Sequence, residues 1–170
     1  MNYLNITLIP ELQNDYYLEN GMVDKGLHFI STEHALKYFK YDQNSDNNKE
    51  FLQLCLQKNN HGSDLRAFEF ENRASLIVNE DYLEKRYDLV LELNKIKFGN
   101  YPKFAEILVA TGSNTLVEIT STFDKYGLSW ADTYWGFFSE TANFESGEGE
   151  NKMGKILMEV RDILNCEAYV

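Results

Sequence analysis

The 170-residue chain has little cysteine, few basic residues and no long hydrophobic run. Its two cysteines, Cys55 and Cys166, are far apart, which excludes a disulfide framework and zinc-ligand spacing and predicts a reducing compartment. Lysine and arginine number 16 against 27 aspartates and glutamates, a net charge of −11. That balance argues against a broad basic surface for nucleic acid or anionic membrane. Apolar runs such as residues 107–110 are too short to span a bilayer, and no signal peptide is apparent. We therefore expect a cytoplasmic protein with no membrane partner.

Proline is also scarce, with two residues, and no Gly/Ser-rich linker interrupts the chain. Residues 1–170 are therefore expected to form a single domain. A chain of this length buries about two thirds of the surface that its unfolded form exposes, so its core needs no disulfide or metal. Aromatic residues make up 14% of the chain, which excludes disorder over its whole length.

Hydrophobic spacing predicts a mainly helical chain with a few short strands. Alternation predicts strands over residues 3–9, 27–30 and 115–120. Helices are predicted over residues 31–40, 49–58, 80–98, 102–112 and 151–165, while residues 63–78 are ambiguous. Because the strands do not alternate with helices in a βαβ rhythm, the predicted fold class is α+β rather than a doubly wound sheet.

The first predicted helix carries a cluster of charged side chains. Glu33, Lys37 and Lys40 occupy positions i, i+4 and i+7, which share one face of a helix. The simpler interpretation is a solvated Glu–Lys pair. The functional interpretation places a carboxylate at the mouth of a pocket, with cations that hold an anionic substrate. His34 points about 100° away around the helix, and by itself it is more typical of a packed or surface histidine than of a catalyst.

A second candidate site is the aromatic segment that surrounds Asp132. Trp130, Tyr134 and Trp135 flank this carboxylate closely in sequence. Aromatic neighbours can desolvate a carboxylate and prepare it for general-acid catalysis, and their flat faces can stack on a base or sugar. The alternative is a loop anchored by tryptophans, in which Asp132 caps a turn. Spacing alone favours neither interpretation.

Glycines of residues 147–154 precede the last predicted helix. Such a loop can present N–H groups to phosphate, but it matches no standard phosphate-loop pattern, and Glu148 and Glu150 oppose an anion. Calcium-loop spacing is also missing, so a solvated loop is favoured. The sequence has no Gly-x-Ser-x-Gly elbow, no cysteine in an activating context and no His-x-x-x-His pair. No cofactor and no metal are therefore expected.

In this order, the segments resemble the NADAR family, also called YbiA-like. The matching pieces are Thr32-Glu33-His34 with Lys40, Lys97-Phe98, residues 108–111, residues 116–118, residues 132–136 and residues 149–161. The C-terminal half is the more specific. Tyr-Trp-Gly, then Gly-x-Asn-x-x-Gly, then Leu-Met-Glu-Val-Arg is hard to obtain by chance. The resemblance covers roughly residues 28–165 and implies a YbiA-like fold.

The resemblance also implies cleavage of an N-glycosidic bond at ribose. One branch of the family acts on phosphoribosyl-linked intermediates of riboflavin synthesis. Another removes ADP-ribose from guanine bases and reverses the action of a DNA-modifying toxin of the DarT type. The implied substrate is therefore ADP-ribosylated guanine in nucleic acid or a phosphoribosyl small molecule, and the implied roles include antitoxin, with a cognate DarT-type toxin as a possible partner.

Position by position, the resemblance assigns catalytic roles to Glu33, Lys40 and Asp132. Substrate binding is predicted for six further residues: His34, Lys37, Tyr134, Trp135, Asn151 and Gly154. The chain also departs from the family pattern. Lys37 replaces a glutamine, Tyr82 stands where a tryptophan starts the long helix, and the Ser-Asn-Phe and Gly-Arg motifs have no clear counterpart. These departures fall on the side of the site that shapes the substrate.

Cleavage of a ribosyl–nitrogen bond builds positive charge at the anomeric carbon, which a nearby carboxylate stabilises. Glu33 and Asp132 are the two candidate carboxylates, and their roles are interchangeable at this level. Lys40 is either a charge partner or a Schiff-base amine. A non-catalytic module that binds ADP-ribose and a protein that binds its toxin directly remain as other classes of function. The net charge of −11 favours small or end-exposed substrates.

Overall fold

The computed structural model describes residues 2–120, 132–139 and 147–167. These residues fall into two compact units. Residues 14–100 form what we call the continuous unit. Residues up to 13 together with residues from 101 onward form what we call the split unit. Six α-helices and six short strands lie within the described part of the chain.

The continuous unit begins with a hairpin and continues with four helices. Strand β2 (Met22–Asp24) pairs antiparallel with β3 (Leu27–Phe29), and the two residues between them, Lys25 and Gly26, both have positive φ. Two such residues give the primed turn whose twist matches that of a hairpin. The helices are α1 (Thr32–Lys40), α2 (Lys49–Leu56), α3 (Gly62–Asn72) and α4 (Tyr82–Asn100).

Apolar side chains from α1 to α3 and the segments that flank them form the core of this unit. Tyr41, Phe51 and Cys55 are buried there with Leu52, Leu65 and Leu76. Helix α1 packs against both α2 and α4. This packing fixes the face of α1 that carries the predicted charged residues.

The split unit pairs distant parts of the chain. Strand β1 (Tyr3–Asn5) lies parallel to β4 (Thr115–Val117), and β5 (Ile119–Thr120) lies parallel to β6 (Phe137–Phe138). Helix α5 (Pro102–Ala110) has Pro102 in its first turn, and α6 (Lys152–Glu167) packs on β4. At that contact, a Cβ on Gly154 would lie 2.1 Å from the Leu116 carbonyl oxygen. Only glycine allows this approach.

The predicted fold class is confirmed: the chain is mainly helical with a few short strands. Several boundaries differ from prediction. The strand predicted over residues 3–9 ends at Asn5, because the Asn5 side chain accepts from Thr7 N–H and caps a 3₁₀ turn. Helix α3 begins at Gly62 and covers the first part of the ambiguous stretch, and α4 continues through Gly99 to Asn100. The last predicted strand breaks at Glu118, whose N–H bonds to a side chain. The single-domain expectation stays a prediction.

No helix in the described part of the chain has both the length and the apolar character needed to cross a bilayer. Both cysteines are free; Cys55 is buried and Cys166 is exposed.

Candidate active site

The side chains of α1 form an ion-pair cluster in the continuous unit. Ser31 caps the helix, and its hydroxyl accepts the His34 backbone N–H. Glu33, Lys37 and Lys40 share one face, as their spacing predicts, and Lys37 Nζ lies 3.6 Å from Glu33 Oε1. The side chains of Glu33 and Lys37 are each only 14% exposed. This pair is therefore largely removed from solvent, unlike the solvated pair of the simpler interpretation.

Glu69 on α3 joins this cluster, and the sequence did not point to it. Its Oε2 accepts from Lys37 Nζ, and its Oε1 accepts from Lys40 Nζ and, at 2.5 Å, from the Tyr41 hydroxyl. The side chains of both lysines, which belong to α1, therefore bind Glu69 on α3. Glu69 is 32 residues from Lys37, so no helical spacing links them, and the ambiguity of residues 63–78 concealed the helix that presents it.

Glu69 and Lys37 carry opposite charges at neutral pH. Burial opposes charge on Glu69, but Lys37 and Lys40 outweigh it and lower the pKa of that carboxyl to about 2. Burial likewise favours the neutral amine of Lys37, yet Glu33 and Glu69 raise its pKa above the ordinary value. Burial, with help from Glu69, also raises the pKa of the Tyr41 hydroxyl. An ionised Glu69 carboxylate, the Lys37 ammonium group and the neutral Tyr41 phenol therefore meet in this cluster.

His34 lies off the charged face, as its position on the helix predicts, and it is 1% exposed. Its Nδ1 lies 2.8 Å from Ser31 Oγ. Burial lowers the pKa of His34 to about 4, so the ring is neutral at physiological pH. It lines a cavity of about 170 Å³ within the continuous unit.

Asp132 caps a turn in the split unit. Its Oδ1 accepts from Tyr134 N–H at 2.9 Å and from Trp135 N–H at 2.8 Å. This is the turn-capping arrangement that the sequence offered as an alternative. Tyr134 and Trp135 are partly buried and meet edge to face, with ring centroids 4.8 Å apart. Trp130 lies outside the described residues.

Asn151 ties the start of α6 to the end of β4. Its Oδ1 accepts from Glu118 N–H at 3.1 Å, and its Nδ2 donates to Leu116 O at 2.8 Å. Its φ of 50° is one that asparagine tolerates better than most residues. Gly154 packs directly beside it. Both residues have structural roles here, and their predicted contacts with substrate stay predictions.

The glycine-rich loop does not present its N–H groups as a phosphate cradle. The N–H groups of residues 150, 151, 152 and 153 donate to the carbonyls of residues 133, 136, 134 and 135 at 2.7–3.1 Å. They hold the loop to the aromatic segment instead. The phosphate interpretation fails for this loop because those donors are already used.

The predicted site residues thus form two groups, one in each unit. Glu33, His34, Lys37 and Lys40 lie in the continuous unit, on α1. The split unit holds the other five: Asp132, Tyr134, Trp135, Asn151 and Gly154.

Comparison with known proteins matches residues 11–165 to the model of the NADAR domain. An N-glycosidase, R617, of Acanthamoeba polyphaga mimivirus is 29% identical over 82 residues. That stretch is 45% of this chain and 43% of the viral protein, so the match spans less than half of the relative's length. The fold is similar to the NMR structure of the E. coli protein YbiA, with a TM-score of 0.65 and 19% identity, over 94% of this chain and 80% of that one.

Proposed function

Because this chain belongs to the NADAR family, we propose that it is an N-glycosidase that hydrolyses a ribosyl–nitrogen bond. The preferred substrate is guanine that carries ADP-ribose. The observation that carries the proposal is the cluster on α1, where the largely buried Glu33 carboxylate lies 3.6 Å from Lys37 Nζ and Glu69 joins Lys37 to Lys40. The name N-glycosidase of a partial relative supports the same reaction class.

The reaction requires charge stabilisation at the anomeric carbon. As the C1′–N bond breaks, its electron pair leaves with the base, and C1′ becomes oxocarbenium-like. The oxygen of a water molecule then bonds to C1′, and the proton that this water loses balances the proton taken up by the departing nitrogen. In our proposal, the Glu33 carboxylate faces C1′, stabilises its positive charge and orients the water.

Lys37 and Lys40 are proposed to act electrostatically, as positive charges, rather than as nucleophiles. Lys40 Nζ donates to the ionised Glu69, which is the arrangement of an ammonium group rather than of a free amine nucleophile. This contact favours the charge-partner role of Lys40 over the Schiff-base role. Borohydride reduction in the presence of substrate separates the two, because only an imine is trapped.

Asp132 is proposed to accept hydrogen bonds from hydroxyl groups of the substrate. Its Oδ1 already accepts two backbone N–H groups, so this side chain is oriented as an acceptor rather than as a proton donor. The partly buried faces of Tyr134 and Trp135 are proposed to pack against the base or ribose. The proposal thus gives Glu33 and Asp132 different tasks.

Mass spectrometry of the products tests the proposal. The protein is incubated with an oligonucleotide that carries ADP-ribosyl guanine, and the expected product is free ADP-ribose. Glu33→Gln should lower turnover at least about a hundredfold, as expected for loss of a general acid–base or charge-stabilising group. The matched control is Glu71→Gln, at an exposed position of α3, with turnover close to wild type. Equal turnover in Glu33→Gln and Glu71→Gln would contradict the assignment.

Phosphoribosylamino intermediates of riboflavin synthesis are the second candidate substrates. The net charge of −11 favours them, because a long polyanion is repelled from this surface. They form the second arm of the same experiment. Cleavage of these intermediates alone would make the chain a metabolite hydrolase. Nucleotide binding without cleavage of either substrate would point to a non-catalytic module.

A further inference from the structure

Departure of the base nitrogen requires a proton, and the side chains described around Glu33 are committed to other tasks. Glu33 itself is proposed to stabilise charge at C1′. Glu69 has a pKa of about 2 and is ionised, and the Tyr41 hydroxyl donates its proton to Glu69. A proton donor that the proposed reaction does not yet use is the hydroxyl of Tyr82, the first residue of α4.

Backbone contacts hold Tyr82 beside the charged face of α1. Asn79 N–H donates to Lys40 O at 3.0 Å, and Asn79 O accepts the Tyr82 N–H at 3.1 Å. Asn79 Nδ2 also donates to Phe39 O at 2.8 Å. The end of α1 is therefore tied to the start of α4. Lys40 Nζ lies over the Tyr82 ring, 5.9 Å from its centroid, where the ring attracts an ammonium group.

The Tyr82 hydroxyl lies among the charges of the cluster and keeps its proton available. Burial raises the pKa of Tyr82 to about 12; the charge of Lys37 opposes this shift and that of Glu33 adds to it. Both charges therefore act on the hydroxyl, which is neutral at physiological pH. Within the described part of the chain the hydroxyl makes no hydrogen bond, and it is not among the fully enclosed polar atoms, although the residue is only 8% exposed.

A neutral phenol suits the chemistry of the departing nitrogen. As the C1′–N bond breaks, its electron pair stays on nitrogen, which becomes strongly basic. A phenol with a pKa near 12 holds its proton at neutral pH and yields it to a stronger base. The phenolate that remains is stabilised by the positive charge of Lys37, which acts on this oxygen.

We propose that Tyr82 is the catalytic acid of the reaction, and that its hydroxyl binds the departing nitrogen and transfers its proton to it. The C1′–N electron pair forms the new N–H bond, and the O–H pair stays on the phenolate oxygen. The water that bonds to C1′ loses a proton to Glu33, which passes it to the phenolate and restores both groups. The assignment rests on the proposed N-glycosidase function. The family pattern has tryptophan at this position, so the resemblance assigns no role to this hydroxyl.

Turnover of the substrate that the wild type hydrolyses tests this role. Tyr82→Phe removes the hydroxyl and keeps the ring. We expect kcat to fall at least about a hundredfold, as for loss of a general acid, with KM unchanged because the proton moves only in the transition state. The melting temperature should not change, since the hydroxyl makes no hydrogen bond within the described residues. The matched control is Tyr17→Phe, which removes a 54% exposed tyrosine hydroxyl from the same unit and should leave kcat close to wild type.

A more acidic phenol separates proton donation from a structural role. Difluorotyrosine in place of Tyr82 keeps the ring and the hydroxyl but ionises at a lower pH than tyrosine. Near neutral pH its kcat should be close to that of wild type. At higher pH its kcat should fall where the fluorinated phenol loses its proton and the wild-type phenol keeps its own. A hydroxyl with a structural role would give the same pH profile in both proteins. This comparison also serves if Tyr82→Phe does not fold.

The outcomes separate this role from the proposed function. Wild-type hydrolysis with an unchanged kcat in Tyr82→Phe, or with a pH profile that fluorination does not move, would overturn the role of Tyr82 and leave the N-glycosidase in place. A raised KM at unchanged kcat would also overturn it, because Tyr82 would then bind the substrate without donating a proton. Absence of hydrolysis in the wild type would overturn the proposed function, and the role of Tyr82 with it.

Discussion

Replacing Glu69 by glutamine removes the carboxylate to which Lys37 and Lys40 both donate. The pKa of Glu69 falls from an ordinary 4.5 to about 2, and a tenfold change in acidity corresponds to about 1.4 kcal/mol. The ionised carboxylate therefore contributes about 3 kcal/mol to the free energy of unfolding at neutral pH. Its side chain is 15% exposed, so solvent screens this contribution only in part. Glu69→Gln should lose most of it, because a neutral amide no longer compensates the charges of Lys37 and Lys40.

The sign of the pH dependence follows from the lowered pKa. Between pH 4.5 and pH 2 the unfolded chain binds a proton at this position and the folded chain does not. The stabilisation is therefore complete above pH 4.5 and is lost as the pH falls toward 2. The difference between wild type and Glu69→Gln should shrink from about 3 kcal/mol at pH 7 to about 1.5 kcal/mol at pH 3.

Urea unfolding at the two pH values measures this difference, with the slope m held constant as a check on two-state behaviour. Glu71→Gln removes the same charge from an exposed position of α3 and should change the free energy of unfolding by less than about 0.5 kcal/mol. The reasoning is refuted if Glu69→Gln is as stable as Glu71→Gln at pH 7. A difference that grows as the pH falls would refute it equally.

Three further predictions concern the rest of the described chain. Gly154→Ala places a Cβ 2.1 Å from a backbone oxygen of β4 and should lower the free energy of unfolding by about 3 kcal/mol or more, measured in thermal melts. The control is Gly99→Ala, whose Cβ lies in open space and should leave stability unchanged or raise it by up to about 1 kcal/mol. Equal effects of the two substitutions would contradict the packing of α6. Ellman's reagent should titrate one thiol rapidly in the native chain, the exposed Cys166, because burial raises the pKa of Cys55 and shields it. Cys166→Ser should abolish that rapid phase, and two fast thiols would disprove the burial of Cys55. Asn151→Asp keeps the acceptor oxygen but replaces the Nδ2 donor, so a second oxygen faces the β4 carbonyl to which Nδ2 donates. We expect the free energy of unfolding to fall by about 2 kcal/mol in chemical denaturation. An unchanged unfolding midpoint would show that this hydrogen bond is not needed.

The charged face of α1 could be predicted because it depends on local spacing. A serine cap followed by residues at i, i+4 and i+7 defines one helix and one face wherever the helix packs. Glu69 could not be found in this way. It meets Lys37 and Lys40 across 32 and 29 residues, and that contact exists only once α3 packs beside α1. Sequence spacing identified the lysines but not their shared partner.

The aromatic segment illustrates the same limit from the other side. The sequence allowed Asp132 to be a desolvated acid or a turn cap, and both fit its neighbours equally well. The hydrogen bonds to Tyr134 and Trp135 identify the cap. Likewise, glycines ahead of α6 are typical of an anion site. They cannot reveal that the N–H groups of residues 150–153 bond to the carbonyls of residues 133–136.

The pairing of β1 with β4 has a consequence for synthesis of the chain. Residues 3–5 leave the ribosome before their strand partner, residues 115–117, which follows more than a hundred residues later. The residues of the continuous unit have all been synthesised by then and can fold before β1 has a strand partner. Closing so long a loop is entropically costly and slow. Deletion of residues 3–5 would therefore impair a late folding step, and its effect would appear at β4, more than a hundred residues away in the sequence.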